Sequence, residues 1–262
     1  MIRGLYTAAA GMNAQQYQID VTSNNIANVN TTGFKKDRAE FQDLMYESLN
    51  FTAGSTSQST TNPTGMDVGL GVRVSGVQKE FLQGNLKLTG NALDMAIEGK
   101  GFFQITLPSG EIGYTRNGAF KLDNEGSIVN GNGYKLEPEI TIPLNYVDIS
   151  IGQDGIVTAT NPVDGTTEQF GQIQTADFIN PAGLSPYGEA LFMATDTSGD
   201  PVIGTPTQEA FGGIRQSMIE SSNVALVNEM VDLITAQRAY EANSKAITTT
   251  DTMLDIVNRL KR

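Results

Sequence analysis

Residues 224–260, VALVNEMVDLITAQRAYEANSKAITTTDTMLDIVNRL, are the stretch that most constrains the fold. Neither Gly nor Pro interrupts residues 214–262, and apolar side chains recur there at helical spacing. The stripe consists of Leu226, Met230, Leu233, Ile234, Tyr240, Ile247, Leu254 and Val257, widened by Val227 and Ala236. A helix over this span is about 55 Å long at the usual rise per residue. It is too long for one small domain to bury, so its stripe needs further partners. Ser221, Ser222 and Asn223 precede it as candidate N-caps.

The amino-terminal end shows a second helical stripe, spaced as a heptad seam. Its apolar members are Ile2, Leu5, Ala9, Met12, Ile19 and Ile26, with Gln16 and Ser23 as polar lapses in the same series. Gly4 and Gly11 each weaken a helix by about 1 kcal/mol, so this seam also needs a partner. We expect the two terminal helices to pack side by side as a coiled-coil-like pair, and their stripes to form an interface between copies of the chain.

An excess of amide side chains follows the first helix in residues 23–36, SNNIANVNTTGFKK. Asn and Ser compete with the helix backbone for hydrogen bonds, so the segment predicts a helix end. One or two such residues would be enough for that purpose. We therefore expect Asn24, Asn25 and Asn28 to bond to adjacent copies and fix their register. Gly33 provides the stop and Phe34 an apolar anchor.

The middle of the chain has a β-rich pattern. Residues 51–71 are rich in Ser, Thr and Gly and predict an extended segment. Residues 72–210 alternate short apolar runs with Gly and Asn turns, which predicts strands and hairpins. The fold class is therefore α+β. We predict a terminal helical domain (1–30 and 222–262), a connecting region (31–75 and 205–221, including the insertion 51–71) and an outer β-rich domain (76–204).

The composition excludes several functions. The chain of 262 residues contains no Cys and no His, so thiolate nucleophiles, His-based triads and ordinary zinc sites are absent. Its formal net charge of −12 argues against nucleic acid as a partner. The sequence contains no run of 18 apolar residues, so we predict no membrane span. The start, MIRGLYTAAAGM, continues into the helical pattern, so we do not expect a cleaved signal peptide.

Three groups of residues are candidates for binding or catalysis. Gly69-Leu70-Gly71 and Gly99-Lys100-Gly101 do not complete a dinucleotide-binding pattern, because Val74 and Gln104 replace the third glycine. Asp123, Glu125 and Asp154 could pair as the acids of a glycosidase, but each lies in a Gly-flanked turn signature. Lys35 and Lys36 could bind a phosphate or a lipid head group, although a solvated face or contact with a partner's acidic body is the simpler interpretation. We therefore predict no catalytic residue, metal site or cofactor.

Both ends of the chain resemble one family. GLYTAAAGMNAQQ with SNNIANVNTTGFKKDRAEF, and SNVALVNEMVDLITAQRAYEANSKAITTTDTMLDIV, resemble the two terminal signatures of the bacterial flagellar rod and hook axial proteins. In the middle, LDMAIEGKGFFQI and YTRNGAFKLDNEGSIVNGNGYKLEP resemble the same family. The length and the insertion 51–71 resemble rod members rather than the hook.

This resemblance implies a structural protein and not an enzyme. Family members stack helically into a hollow tube, with the terminal helices inside and the β domain outside. The implied partners are further copies of the chain, other rod and hook subunits at the two ends, the surrounding P and L ring proteins, and the flagellar type III export apparatus. The implied location is the flagellar basal body, from the periplasm to the level of the outer membrane, reached without a cleaved signal.

Overall fold

The computed structural model describes residues 2–50, 55–57, 60–61, 66–208 and 211–260. It is an α+β structure that divides into two compact units. Unit 1 comprises Met1–Ile26, Asp37–Gln78 and Ala225–Arg262, and unit 2 comprises Ala27–Lys36 and Lys79–Val224. The chain ends therefore belong to one unit, and most of the β-rich middle belongs to the other. The predicted three-part division into domains stays a prediction.

Unit 1 contains both predicted helices and six strands. These elements are α1 (Ile2–Ala27), β1 (Asp37–Asp43), β2 (Tyr46–Asn50), β3 (Ser55–Ser57), β4 (Thr60–Thr61), β5 (Met66–Gly69), β6 (Val72–Lys79) and α2 (Leu226–Leu260). At 1.5 Å per residue, α1 is about 39 Å long and α2 about 52 Å. Strand β1 pairs with β6, β2 with β5 and β3 with β4.

The predicted extended segment 51–71 is extended wherever the structure describes it. Residues 51–54, 58–59 and 62–65 of this segment lie outside the described residues. The rest contributes β3, β4 and β5, which pair with each other or with β2. Tyr46 lies opposite Gly69, and Ser55 lies opposite Thr61. The described part of the segment therefore contributes one antiparallel strand pair and one strand that pairs with β2, because Ser and Thr at these positions accept an extended backbone.

Unit 2 is built from the sixteen remaining described strands. They are β7 (Leu86–Leu88), β8 (Met95–Glu98), β9 (Phe102–Thr106), β10 (Ile112–Thr115), β11 (Lys121–Leu122), β12 (Ile128–Val129), β13 (Lys135–Glu137), β14 (Val147–Ile151), β15 (Ile156–Thr160), β16 (Thr167–Gln172), β17 (Thr175–Asp177), β18 (Ser185–Gly188), β19 (Leu191–Met193), β20 (Val202–Gly204), β21 (Gly213–Gln216) and β22 (Met218–Glu220). The largest sheet has the order β11-β12-β13-β9-β10-β19-β18, with β17 joining β9 to β20. Three smaller sheets are β14-β15-β16, β21-β8 and β22-β7.

Strand β9 is buried on both faces and separates two apolar clusters. Phe103 lies in the larger cluster, with Phe120 edge-on to its ring at a centroid distance of 5.3 Å. Phe102 lies in the smaller one, where it meets Phe178 at 5.8 Å. Because successive side chains of a strand point to opposite faces, the adjacent pair Phe102-Phe103 serves both clusters. This explains why the run GFFQI has no polar alternation.

The predicted hairpin turns are confirmed. Gly126 donates its N–H to the carbonyl of Asp123 at 2.9 Å, and its φ of 81° needs a residue without a side chain. This turn joins β11 to β12. Gly155, with a φ of 82°, plays the same part between β14 and β15.

The prediction for the start of the second helix was wrong. Helix α2 begins at Leu226, and its first backbone hydrogen bond runs from Glu229 N–H to the Ala225 carbonyl at 3.1 Å. The three candidate N-cap residues therefore all lie before the N-cap position, which Ala225 occupies. The side chain of Asn223 is used elsewhere, because it accepts from the Lys36 N–H at 2.8 Å and donates to the Glu80 carbonyl at 2.8 Å.

Candidate assembly interface

Helices α1 and α2 of unit 1 contact each other at two points that define an antiparallel register. The Asn25 amide donates to the Glu229 carboxylate at 3.1 Å. Near the other end, a Cβ on Gly11 would lie only 2.8 Å from the amide nitrogen of Asn243. The two points are two heptads apart on each helix. The same register therefore holds along the pair, and Gly11 permits the close approach at its far end.

The side chains that α1 buries are small or polar, and they are not the predicted seam. They are Ala8, Ala14, Thr22 and Asn25. The predicted seam residues Leu5, Ala9, Met12, Ile19 and Ile26 are only partly buried in the single chain. The side chain of Ile2 lies outside the described part of the structure. A glycine and an amide define the closest contact within the chain, and the seam residues stay a prediction for contacts between copies.

Helix α2 has two different faces. Glu229 and Ala236 are buried, and the partly buried Leu233, Ile247 and Leu254 lie on the same side of the helix. Apolar residues on the opposite side are 47% or more exposed, namely Val227, Met230, Val231, Ile234, Met253, Ile256 and Leu260. Two of these, Met230 and Ile234, belong to the predicted interface, whereas its members Leu226, Tyr240 and Val257 lie nearer the side of the helix that faces α1. We call this surface the outer face of α2.

The register also leaves the end of α2 without a partner from α1. Continued from the two observed contacts, it places the first residue of α1 opposite residue 252. Residues 253–260, about two helical turns, extend past that point. We call them the overhang. Four of its five large apolar side chains, Met253, Ile256, Val257 and Leu260, are between 51% and 80% exposed, and the fifth, Leu254, is partly buried.

Asn25 makes its hydrogen bonds inside the chain, which corrects the prediction that it bonds to an adjacent copy. Besides its bond to Glu229, its amide donates to the Asp37 carbonyl at 2.8 Å and accepts from the Asp37 N–H at 2.8 Å. Both donors and the acceptor of this buried side chain are therefore used. Asn24 lies 3.4 Å from the Asp37 carboxylate.

The other residues of the Asn-rich segment belong to unit 2 and form its turn. The Asn28 side chain accepts from the Thr31 hydroxyl at 3.1 Å. Gly33 has a φ of 69°, and a Cβ there would lie 2.6 Å from the backbone nitrogen of Asn117. Phe34 packs beneath the Lys79 ammonium, 5.3 Å from its ring centroid. Gly33 is thus required by both its backbone angle and its surroundings.

A buried ionic cluster in unit 2 was not foreseen. Lys35 Nζ lies 2.6 Å from Glu220 Oε1, and both side chains have no exposed surface. The second carboxylate oxygen of Glu220 lies 3.5 Å from Arg116, and its first also accepts from the Gly84 N–H at 2.8 Å. The interpretation of Lys35 as a solvated lysine was wrong. Two lysines in sequence gave no signal that one of them has a carboxylate partner 185 positions away.

Burial dominates the electrostatics of this cluster. Desolvation lowers the pKa of Lys35, and Glu220 opposes part of that shift through its charge and its hydrogen bond. Desolvation likewise lowers the pKa of Arg116, again opposed by Glu220. Lys35 also donates to the Leu82 carbonyl at 2.7 Å. The carboxylate therefore holds strands and loops from four separate parts of unit 2 together.

The residues considered for catalysis lie in turns. Asp123 accepts from the Asn124 N–H at 2.7 Å, and Asp154 accepts from the Ile156 N–H at 3.3 Å. Glu125 lies within the same turn as Asp123. Within the described ranges, no group of three or more acidic side chains is arranged to hold a metal ion. No helix among those residues has the length and apolar character needed to cross a membrane.

Comparison with known proteins places both ends and the middle of the chain in one family. Residues 5–35 match the family model "Flagella basal body rod protein", residues 96–159 match "Flagellar hook protein FlgE/F/G D1 domain", and residues 215–260 match "Flagellar basal body rod FlgEFG protein C-terminal". The chain therefore belongs to the family of flagellar basal-body rod and hook proteins.

Full-length relatives point to one member of that family. The chain is 47% identical to the flagellar basal-body rod protein FlgG of Borreliella burgdorferi, with both chains covered completely. It is 48% identical to the protein of the same name from Agrobacterium fabrum, over 98% of this chain and 99% of that one. A solved structure of the Helicobacter pylori flagellar hook protein FlgE2 aligns over 71% of this chain and 43% of its own length, at 14% identity and a TM-score of 0.25, too weak to inform on the fold.

Proposed function

We propose that the chain is a structural subunit of the distal rod of the bacterial flagellar basal body. Copies assemble helically into a hollow, rigid drive shaft that crosses the periplasm and transmits motor torque to the hook. Its central channel lets later subunits pass. Proximal rod subunits lie at one end and hook subunits at the other, with the P and L rings around the shaft. The chain reaches this place through the flagellar type III export apparatus without a cleaved signal.

The observation that carries this proposal is the outer face of α2. The helix turns its other side to α1, and the outer face remains exposed among the described residues of unit 1. Exposed apolar side chains form two clusters on this face, at residues 227–234 and 253–260, and clusters of this kind mark an interaction site. Burying about 1,000 Å² of apolar surface per copy contributes on the order of 25 kcal/mol before the costs of association. A contact between different patches of neighbouring copies gives a ring if its rotation closes and a helical filament if it does not, and the proposed rod requires the non-closing case.

The choice of the distal rod rests on two further features. Relatives that cover the whole chain carry the name of a basal-body rod protein. The length of 262 residues and the Ser/Thr-rich segment 51–71 favour the distal rod over the hook. A proximal rod or hook subunit of the same family is the alternative. A periplasmic glycosidase using Asp123 or Asp154 is less favoured, because both side chains are engaged in turns.

Electron microscopy of basal bodies from cells lacking this chain separates these functions. We expect a short rod stub without a hook, and restoration by the full-length chain. A complete rod without a hook would indicate a hook subunit, and no rod at all would indicate a proximal one. Normal basal bodies, together with cell-wall hydrolysis that is lost on Asp123→Asn or Asp154→Asn, would overturn the structural proposal.

A further inference from the structure

We infer that Asn25 and Glu229 act as a polar lock that selects one register of α1 against α2, and that this register sets the length of the overhang. The lock is a property of unit 1 and does not depend on the proposed function. Only its last consequence, that the overhang contacts another copy, rests on that proposal. A buried amide or carboxylate in a helix seam specifies register because sliding leaves it without a partner.

The two helices contain a competing register one heptad away. Sliding α2 by seven residues toward the amino terminus of α1 would bring Asn243 opposite Gly4, which like Gly11 has no side chain to obstruct it. The same slide would bring Glu229 opposite Gln18, which can also donate a hydrogen bond. The glycines of α1 and the availability of a hydrogen-bond donor for Glu229 therefore do not by themselves exclude the competing register.

Asn25 rejects the competing register. In the observed register its amide has all three partners, one on α2 and two on the backbone of Asp37 at the start of β1. After the slide, Asn25 would lie opposite Ser222, which precedes α2 and whose hydroxyl already accepts from the Val224 N–H at 3.3 Å, so the amide would lose its carboxylate acceptor. The same side chain also bonds to β1. It therefore cannot turn to follow Glu229 without breaking those bonds. The lock thus ties α1, α2 and β1 to one alignment.

The register has a direct consequence for the surface that unit 1 presents. In the observed alignment the overhang is about two turns long, whereas the competing register would change it by about 10 Å. Since Met253, Ile256, Val257 and Leu260 lie in the overhang, the lock decides how much of this apolar patch extends past α1. Copies with mixed registers would present patches of two lengths and could not stack uniformly.

Distance measurements between two spin labels test the lock. The chain has no Cys, so Asp20→Cys and Asp251→Cys, both on exposed positions outside the seam, allow specific nitroxide labelling of the full-length chain. Labelled chain is diluted into excess unlabelled chain to remove intermolecular distances. Double electron–electron resonance should give one narrow distance population. A heptad slide would shift that distance by about 10 Å.

Three variants decide the outcome. Asn25→Asp places a second carboxylate beside Glu229 and removes the amide donor, so the native population should fall by at least half. Combining it with Glu229→Gln restores a hydrogen bond between the helices but not the donation to the Asp37 carbonyl, so the native population should recover in part and exceed that of Asn25→Asp alone. Asn13→Leu with Glu241→Leu, both exposed on the same helices, is the control and should leave the distribution unchanged.

The inference is overturned if Asn25→Asp keeps the native distance alone, if the double variant shows no more of the native population than Asn25→Asp does, or if the parent chain already shows two populations. Flagellar assembly in cells carrying Asn25→Asp is a separate measurement. A loss of register in the spin-label experiment with unchanged flagella would preserve the lock and reject the proposed role of the overhang.

Discussion

Lys35 and Glu220 lie 185 positions apart in the sequence, yet their charged atoms are 2.6 Å apart and neither side chain touches solvent. Glu220 also faces Arg116 and receives a backbone N–H from Gly84. A buried ion pair is weak support for stability in itself, because desolvation cancels much of the attraction. Removal of only one partner of the pair has a different effect, because the remaining buried charges then have no counter-charge. Glu220 is therefore the residue on which this part of unit 2 depends.

Glu220→Gln should lower the free energy of unfolding of unit 2 by about 3–5 kcal/mol, because two buried cations lose their counter-charge. Urea unfolding followed by near-ultraviolet circular dichroism of the tyrosines measures this change. Glu98→Gln is the matched control, because Glu98 pairs with Arg215 at 2.7 Å on the exposed surface of the same unit. It should cost no more than about 1 kcal/mol. Equal losses in the two variants would contradict the special role of Glu220.

Gly33→Ala should destabilise unit 2 by about 1–3 kcal/mol, because the position combines a φ of 69° with backbone atoms of Arg116 and Asn117 less than 3 Å from the new Cβ. The same urea titration measures it. Gly131→Ala is the control, since a Cβ at that position has nothing within 4 Å. An unchanged midpoint for Gly33→Ala would show that the turn adjusts, and the requirement for glycine would be rejected.

The elements themselves were predictable from local patterns. The long stripe of residues 224–260 and the seam near the amino terminus predicted α2 and α1, and turn residues such as Asp123 and Gly126 predicted the β hairpins. These signals are local, because a helix or a turn is decided by residues a few positions apart. Pairing of the two helices followed from their shared need for a partner.

The contacts between distant segments were not predictable in the same way. The sequence shows Lys35 as one of two adjacent lysines, and its partner Glu220 gives no local signal. Asn25 was singled out as a polar residue of register, but its partner was assigned to a neighbouring copy instead of Glu229. The burial of a polar side chain depends on which segments meet in three dimensions. Amphipathic spacing does not contain that information.

The buried phenol of Tyr114 predicts a loss of stability at alkaline pH. Burial raises the pKa of Tyr114, which packs edge-on against Phe178 at 4.8 Å. The folded chain therefore keeps this proton at a pH where the unfolded chain has released it, so the stabilising contribution is complete below about pH 10 and is lost as the pH rises above that value. The test is the difference in unfolding free energy between the parent and Tyr114→Phe.

That difference should be constant from about pH 8 to pH 9 and should shift in favour of Tyr114→Phe above about pH 10. Tyr187→Phe removes a phenol that is 58% exposed and is the matched control. A difference for Tyr114→Phe that does not change with pH would contradict the effect of burial.

The outer face of α2 should control assembly without controlling the fold of unit 2. Val231 is 54% exposed on this face, so Val231→Asp removes no buried contact in the single chain but places a carboxylate where we propose that another copy packs. The cost of burying that unpaired charge is at least about 2 kcal/mol per contact, so polymer formation should fall by tenfold or more. Sedimentation and electron microscopy of the purified chain measure the polymer.

Thr249→Asp, exposed near the polar middle of the same face, should assemble nearly as the parent does. If both variants assembled normally, the outer face would not be the assembly surface. If Val231→Asp also lowered the urea midpoint of unit 2, the substitution would act through the fold and not through the contact between copies.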